Sequence, residues 1–204
     1  MHSRATERST KKAKGDKGWE KARKRKGKSP AGSKGDGMSE IEQSIERKHW
    51  KKAHALVQEK LVSAPMDHWL WLTLSLTYYE QKEYEKALEA SRRAVQLEPD
   101  CPLALWHFAG SLYMTGHESS ALVVWTMLLD MDIEKVAYGE HGEGMDWALQ
   151  LINDVHFRMG RYFHWKGQDQ LAAESFKKYL HNRKHGVTSL YDAKKAEEYL
   201  AEVS

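Results

Sequence analysis

Histidine and cysteine side chains are the groups of this sequence that could ligate a metal or act as nucleophiles. His156 and His164 fall on one predicted helix but stand eight residues apart, whereas two histidines that share a metal on a helix are usually four apart. His141 lies in a glycine-rich turn, and Cys101 lies in a proline-flanked turn. We therefore expect no metal site and assign these side chains to packing or to the surface.

Short motifs that build common catalytic sites are missing from the sequence. It contains no phosphate-binding loop, no zinc signature and no G-x-S-x-G turn. Because it has 1 cysteine, a disulfide within the chain is excluded. The sequence predicts a protein with no catalytic residues and no cofactor, so the chemistry to be explained is that of binding.

Basic side chains concentrate in the first 37 residues. This segment holds 13 Lys and Arg against 4 Asp and Glu, a net charge of +9, while residues 38–204 hold 19 against 25, a net charge of −6. After the first methionine its only large apolar residue is Trp19, so it cannot bury enough surface to offset the entropy of ordering. We expect residues 1–37 to form a disordered basic tail.

The densest basic run of this tail, KARKRKGK, is suited to phosphate contacts. Each Lys or Arg that neutralises a phosphate releases counterions, which gives an affinity that depends on salt and not on base sequence. A nuclear address, a solubilising arm and an extension upstream of a natural start at Met38 are the open alternatives. If nucleic acid is the partner, the contacting residues are Lys21, Arg23, Lys24, Arg25, Lys26 and Lys28.

Neither an export signal nor a membrane anchor is recognisable in the sequence. No apolar run follows the early charges as it would in a secretory signal, and no stretch approaches the length of a membrane span. We expect a cytoplasmic protein, or a nuclear one in a eukaryotic host, without a membrane partner.

The residues beyond position 38 repeat with a period of 34. Ala53, Ala87 and Ala121 follow one another at this spacing, and the pattern returns at Ala172 after 51 residues. The longer last step indicates one insertion. Such self-similarity is typical of repeat architectures, in which each unit is one supersecondary element.

Small residues recur at a second fixed position of the repeat. Ser75, Ala109 and Gly160 each stand twelve residues before one of these alanines. Small residues matched across a hairpin of two helices let the helix axes approach closely. Gly116 and Gly167 each stand five residues before an alanine, where the hairpin is expected to turn.

Together these residues resemble the signature of the tetratricopeptide repeat family, W-x2-L-G-x2-Y followed by A-x3-F and P. The best-matched unit carries Trp71, Leu74, Ser75, Tyr78, Ala87, Ala94 and Pro99, with Ser91 in place of the Phe. The resemblance implies an all-α fold, a right-handed superhelix of stacked helix-turn-helix repeats. Its units would cover about residues 38–67, 68–101, 102–135 and 153–186.

A spacer and a terminal helix complete this arrangement. Residues 136–152 form the spacer, and its glycine-rich turn GEHGEG precedes a long helix that we expect to begin near Met145. Residues 189–203 fit a capping helix, with Ser189 and Asp192 as its capping pair.

The stretch LWLTLSLTYY, residues 70–79, alternates like a β-strand although helical segments surround it. Two overlapping helical stripes account for the alternation. One stripe packs on the second helix of the hairpin and holds Trp71, Leu74, Ser75 and Tyr78. The other is predicted to face a groove and holds Trp69, Leu72, Leu76 and Tyr79.

In the family, first helices line a concave groove that binds segments of partner proteins. The resemblance therefore implies a non-catalytic protein-interaction scaffold, and aromatic residues at groove positions are typical of binding hot spots. The predicted groove residues are Trp69, Leu72, Leu76, Tyr79, Trp106, Tyr113, Phe157, Arg158, Arg161, His164 and Trp165. We expect the two arginines to attract an acidic group of the partner.

Several alternatives stay open. The groove aromatics could pack internally, the basic tail could make the chain a nucleic-acid-associated protein, and an exposed end could support self-association. Chaperone-tail binding is not expected, because Leu72 and Leu76 stand where that subgroup carries Lys and Asn. The basic run of residues 177–185 is interpreted as a solvated helix end favoured by the helix dipole.

Overall fold

The structure, a computed structural model, describes residues 36–204, with side chains from residue 40 onward. Over these residues the chain is all-helical, as the sequence predicts. The helices are α1 (Asp36–Glu46), α2 (Trp50–Ser63), α3 (His68–Glu80), α4 (Tyr84–Leu97), α5 (Pro102–Met114), α6 (Glu118–Asp130), α7 (Ile133–Tyr138), α8 (Met145–Lys166), α9 (Asp169–Lys184) and α10 (Ala193–Glu202). The predicted tail contacts of residues 21–28 lie outside the described residues.

The described residues divide into two compact units. The N-terminal unit, residues 36–130, contains the hairpins α1–α2, α3–α4 and α5–α6, and each hairpin packs on the next. The C-terminal unit, residues 131–204, contains the hairpin α8–α9, with α7 packed on α8 and α10 packed on α9 and α8. The N-terminal unit is thus a stack of three helical hairpins in chain order, and the C-terminal unit is one hairpin with two further helices packed on it.

The four hairpins turn in the same way. At the turn, Lys48, Lys82, Gly116 and Gly167 have positive φ angles of 58°, 64°, 85° and 71°. The amide of the next residue donates to the carbonyl five residues back, at 2.8–2.9 Å in all four hairpins. This Schellman arrangement satisfies the last carbonyls of the first helix. The repeat therefore extends to backbone geometry, including two lysines that the sequence did not mark as turn residues.

The repeated small residues lie where the paired helices come closest. Ser75 on α3 donates its hydroxyl to the carbonyl oxygen of Ala87 on α4 at 2.9 Å. A Cβ atom added to Gly160 on α8 would lie 2.7–2.9 Å from ring carbons of Phe176 on α9. The small side chains therefore permit close helix packing, which is the role predicted from their spacing.

The stretch with strand-like alternation is helical. Residues 70–79 lie within α3, and Asp67 caps its first turn by accepting from the amides of Trp69 and Leu70. Eight of the thirteen residues of α3 are buried, so the helix is apolar on more than one side. That breadth explains why its pattern imitates the period of a strand.

The C-terminal unit differs from the sequence expectation in two places. A short helix, α7, crosses the predicted boundary between the third unit and the spacer, because it begins at Ile133 and ends at Tyr138. The turn after it brings Gly142 so close to α7 that a Cβ atom there would lie 2.3 Å from the Ala137 carbonyl oxygen. The predicted capping pair is wrong in part: Asp192 caps α10 by accepting from the Lys194 amide, but Ser189 binds Asp154 instead. The long helix α8 begins at Met145, as expected.

Within residues 36–204, every helix is too short or too polar to cross a lipid bilayer.

Candidate functional site

A stripe of polar side chains runs along α8 at every fourth residue. Gln150, Asp154 and Arg158 share one face of the helix because residues four apart lie above one another. They contact residues 187–191, which connect α9 to α10 without regular secondary structure. We call residues 187–191 the strap. The stripe and the strap form the candidate site of the C-terminal unit.

At the start of the strap, polar side chains bind both its backbone and its side chains. The Thr188 hydroxyl donates to the side-chain oxygen of Gln150 at 2.9 Å. Arg183 on α9 donates to the carbonyl oxygen of Val187 at 2.8 Å. These contacts fix the direction in which the chain leaves α9.

Asp154 is the central acceptor of the site. Its carboxylate is fully buried, accepts from the Ser189 hydroxyl and accepts from the Leu190 backbone amide at 3.1 Å. Hydrogen bonds to an ionised acceptor are roughly twice as strong as neutral ones, and a buried carboxylate requires them. The burial of Asp154 therefore depends on the strap being in place.

Tyr191 ends the strap with an aromatic contact. Its ring stacks on the ring of Phe157, with 4.2 Å between centroids and 12° between planes. Its hydroxyl oxygen accepts from Nε of Arg158 at 2.6 Å. The same side chain thus makes an apolar contact and a charge-assisted hydrogen bond to adjacent residues of α8.

Tyr179 joins the strap to α9. Its hydroxyl donates to the carbonyl oxygen of Tyr191 at 2.7 Å and lies 2.8 Å from the hydroxyl of Ser189. Burial, opposed by the hydrogen bond with Ser189, raises the pKa of Tyr179 to about 12. The phenol therefore stays protonated near neutral pH and serves as a hydrogen-bond donor.

Helix α10 packs on α9 and on the C-terminal part of α8. The ring of Tyr199 stacks on Phe176 of α9, with 5.3 Å between centroids and 12° between planes. Glu202 Oε2 lies 3.2 Å from Nε2 of His164 on α8. The strap thus covers the polar stripe, while α10 contacts Phe157 and His164 of α8.

The predicted groove residues of α8 lie along this covered face. Phe157, Arg158 and His164 are buried against the strap or α10, and Arg161 and Trp165 are half-buried. A partner would reach the first three only after the strap or α10 moves. Arg161 and Trp165 continue the stripe by helical spacing beyond Arg158.

In the N-terminal unit the predicted groove residues are mostly interior. Leu72 belongs to a buried cluster with Ala94, Cys101 and Ala104. Tyr79 packs edge-on against Tyr84 with 5.2 Å between centroids, and Tyr113 packs on Trp125 at 5.5 Å. Leu76 and Trp106 are buried as well, while Trp69 is half-buried. Internal packing is thus the role that these contacts show for Leu72, Tyr79 and Tyr113.

Two of the residues that opened the sequence analysis, His156 and Cys101, are partly buried and buried, respectively. Burial, assisted by the positive charge of Lys178, lowers the pKa of His156 to about 4. His156 is therefore neutral near pH 7 and acts as a partly buried packing residue. Cys101 is buried in the same cluster as Leu72.

Sequence reasoning missed the residues of the strap. Gln150, Ser189 and Tyr191 carry no repeat spacing, and the hydrogen bonds of the site join residues that lie 10 to 38 positions apart along the chain. The available signal was a carboxylate, Asp154, at an interior position of an apolar helix. A buried carboxylate requires donors, and the sequence does not say which donors these are.

The geometry defines a tetratricopeptide-repeat-like fold, in which helical hairpins with matched small residues stack in order. Neither a family profile nor a curated protein matches the chain. A solved structure described as "MamA RS-1 ArsTM double mutant", from a protein that contains tetratricopeptide repeats, superposes with a TM-score of 0.54 at 15% identity. The match covers 84% of this chain and 94% of that chain. At this identity the likeness supports the fold.

Proposed function

We propose that this protein is a non-catalytic interaction scaffold that binds an extended segment of a partner protein on the first helices of its hairpins. The observation that carries the proposal is the polar stripe of α8, which already holds a non-helical stretch of chain, the strap. Fold alone does not define function, so the argument rests on these contacts.

The contacts on α8 combine the two elements of peptide recognition. Asp154 accepts from a backbone amide, which any segment can offer, while Phe157 and Arg158 contact one tyrosine side chain. Backbone contacts give affinity, and side-chain contacts give selectivity. A surface with both elements is suited to a peptide ligand.

Half-buried members of the predicted groove give a partner its first point of contact. Arg161 and Trp165 lie on α8 beyond the strap. Tryptophan and arginine are the residue types most enriched in binding hot spots. A partner segment with an acidic group followed by an apolar residue would complement Arg161 and Trp165.

The buried polar groups of the site have structural roles in this proposal. Asp154 is engaged by Ser189 and Leu190, and Tyr179 donates to the Tyr191 carbonyl oxygen. Groups held in this way position a chain segment, and the proposal assigns no bond-breaking step to them.

Peptide selection on the full chain tests this function. A random peptide library would be panned on immobilised protein, and the selected peptide titrated while tryptophan fluorescence is measured. We expect Trp165→Ala and Arg161→Ala to weaken binding by about ten-fold or more, as hot-spot truncations do. Lys177→Ala, an exposed charge on α9, is the matched control and should leave the affinity unchanged. Failure to select any peptide, or equal binding by all variants, would contradict the proposal.

A nucleic-acid-associated role is the second candidate, favoured by a basic face on α9. Five exposed basic or titratable side chains cluster toward its C-terminal end, at Lys177, Lys178, His181, Lys184 and His185. With the basic run of residues 21–28, this face would contact phosphates and give salt-dependent affinity.

Titration with single-stranded RNA and duplex DNA at two salt concentrations tests this second candidate. We expect Lys177→Glu with Lys184→Glu to weaken binding and reduce its salt dependence. Glu174→Lys, on the same helix, is the opposite control and should strengthen binding. If these substitutions leave both the affinity and its salt dependence unchanged, α9 is not part of the nucleic-acid contact surface.

A further inference from the structure

We infer that the strap is a built-in ligand, which occupies in cis the site on α8 that a partner segment uses. The inference rests on the proposed function and adds the chemistry of the partner. That segment would present a hydroxyl side chain, a free backbone amide at the following residue and an aromatic ring one residue further on. Ser189, Leu190 and Tyr191 present these groups to α8.

Residues 188–191 of the strap can leave without unwinding the helices on either side. Local hydrogen bonds complete the C-terminal end of α9: the amides of Gly186 and Val187 donate to the carbonyls of Arg183 and Asn182, respectively. Gly186 has a φ of 88°, the left-handed conformation that terminates helices. Helix α10 begins at its own cap, Asp192. Residues 188–191 are therefore a separable segment between two completed helices.

The polarity of the covered face fits an exchangeable contact. Asp154 is fully buried and Arg158 is 5% exposed, yet a permanent core at this position would gain stability from apolar residues. Charged side chains keep a surface soluble when its cover is absent, and an apolar stripe would not. The polar stripe thus has the composition of a surface that opens and closes.

The groups on α8 define what a competing segment must offer. The carboxylate of Asp154 requires two donors, which a serine or threonine hydroxyl and the next backbone amide supply. The face of Phe157 requires a flat ring, and Nε of Arg158 requires an oxygen at its far edge. A segment of the form Ser-x-Tyr meets all three requirements, and Thr-x-Tyr is the close variant.

Competition in cis lowers the apparent affinity for such a segment. The strap is tethered to its site at a high effective concentration, and a partner binds only the fraction of molecules in which the strap is released. Any change that loosens the strap should increase that fraction and strengthen partner binding. This is the opposite of what the loss of ordinary binding residues would do.

A peptide of residues 186–204, labelled at its N-terminus, is the probe for this competition. It would be titrated against the full chain and against a loosened full chain carrying Ser189→Ala and Tyr191→Phe. We expect the loosened protein to bind the peptide about ten-fold more tightly than the unmodified protein, since the cis competitor is weakened. A control peptide with the same two substitutions should bind the loosened protein about ten-fold more weakly than the natural peptide.

Circular dichroism checks that the loosened chain is folded. The single variant Tyr191→Phe should bind the peptide with an affinity between those of the unmodified and the loosened protein. Equal binding to all three proteins, binding to none, or equal binding of both peptides would overturn the inference. Its failure is distinct from failure of the proposed function, because a library-selected peptide could still depend on Trp165 while the strap peptide does not compete.

Discussion

The ring of Tyr191 lies flat on the ring of Phe157, with 4.2 Å between their centroids, while its hydroxyl accepts from Arg158, the next residue of α8. One side chain thus connects the strap to α8 through a stacking contact and a hydrogen bond. These two contributions can be separated by substitution.

Removing only the Tyr191 hydroxyl should cost less than removing the ring. Tyr191→Phe keeps the stacking and should lower the free energy of unfolding by about 1–3 kcal/mol, because Nε of Arg158 loses a buried acceptor. Tyr191→Ala also removes the ring and should cost about 3–5 kcal/mol. Urea unfolding measures both values, and Tyr138→Phe, at an exposed tyrosine of α7, is the matched control. Equal losses for both Tyr191 substitutions would contradict the stacking contribution.

Close packing at Gly160 leaves no room for a methyl group. Gly160→Ala should destabilise the chain by about 1–3 kcal/mol, because the added Cβ overlaps the buried ring of Phe176. In the Phe176→Leu background the same substitution should cost less, since the smaller side chain makes space. A double-mutant cycle measures this coupling, and purely additive losses would show that the two residues do not limit each other.

Two hairpin turns contain a lysine in the left-handed backbone conformation, and replacing either lysine by glycine should stabilise the chain. Lys82→Gly should raise the free energy of unfolding by about 0.5–1 kcal/mol, because a lysine with a φ of 64° is strained and glycine is not. Lys48→Gly should behave in the same way. Glu85→Gly, in the first turn of α4, is the control that should destabilise by about 0.5–1 kcal/mol. Loss of stability in all three variants would contradict the assignment of strain.

Acid should destabilise the C-terminal unit through His156. The folded-state pKa is about 4, below the ordinary value of 6.5, so the unfolded chain binds the proton more tightly. The stabilising contribution is complete above pH 6.5 and is lost as the pH falls toward 4, by roughly 2 kcal/mol once partial exposure is allowed for. An NMR titration of the ring checks the pKa. Lys178→Met should raise the pKa of His156, because it removes the positive charge that lowers this pKa, and Lys177→Met should leave the pKa unchanged.

The fold could be predicted because its determinants repeat. Ala87, Ala121 and Ala172 recur at related spacings, and each lies fully buried in the second helix of a hairpin. The turn residues could be predicted only in part, since glycine marks a left-handed conformation but Lys48 and Lys82 do not. Helix α7 was missed because its six residues are too few to show a helical period.

The candidate site was less accessible to sequence reasoning for a physical reason. Phe157 and Arg158 were identified from repeat spacing, but what covers them comes from residues with no repeat relationship to α8. Ser189 illustrates the difficulty. A serine before a helix is a good capping residue, and the residues around Ser189 do not reveal that its hydroxyl donates to the carboxylate of Asp154 instead. The local sequence favours a helix cap at Ser189, but Ser189 forms a hydrogen bond with a residue 35 positions away.

Hydrogen exchange at the Leu190 amide tests most directly whether the α8 face is a peptide site held by the strap. This amide donates to Asp154 only while the strap is in place. With a saturating library-selected peptide bound to the full chain, we predict that the Leu190 amide exchanges faster while amides within α9 keep their rates. Unchanged or slower exchange at Leu190 under the same saturation would contradict the account.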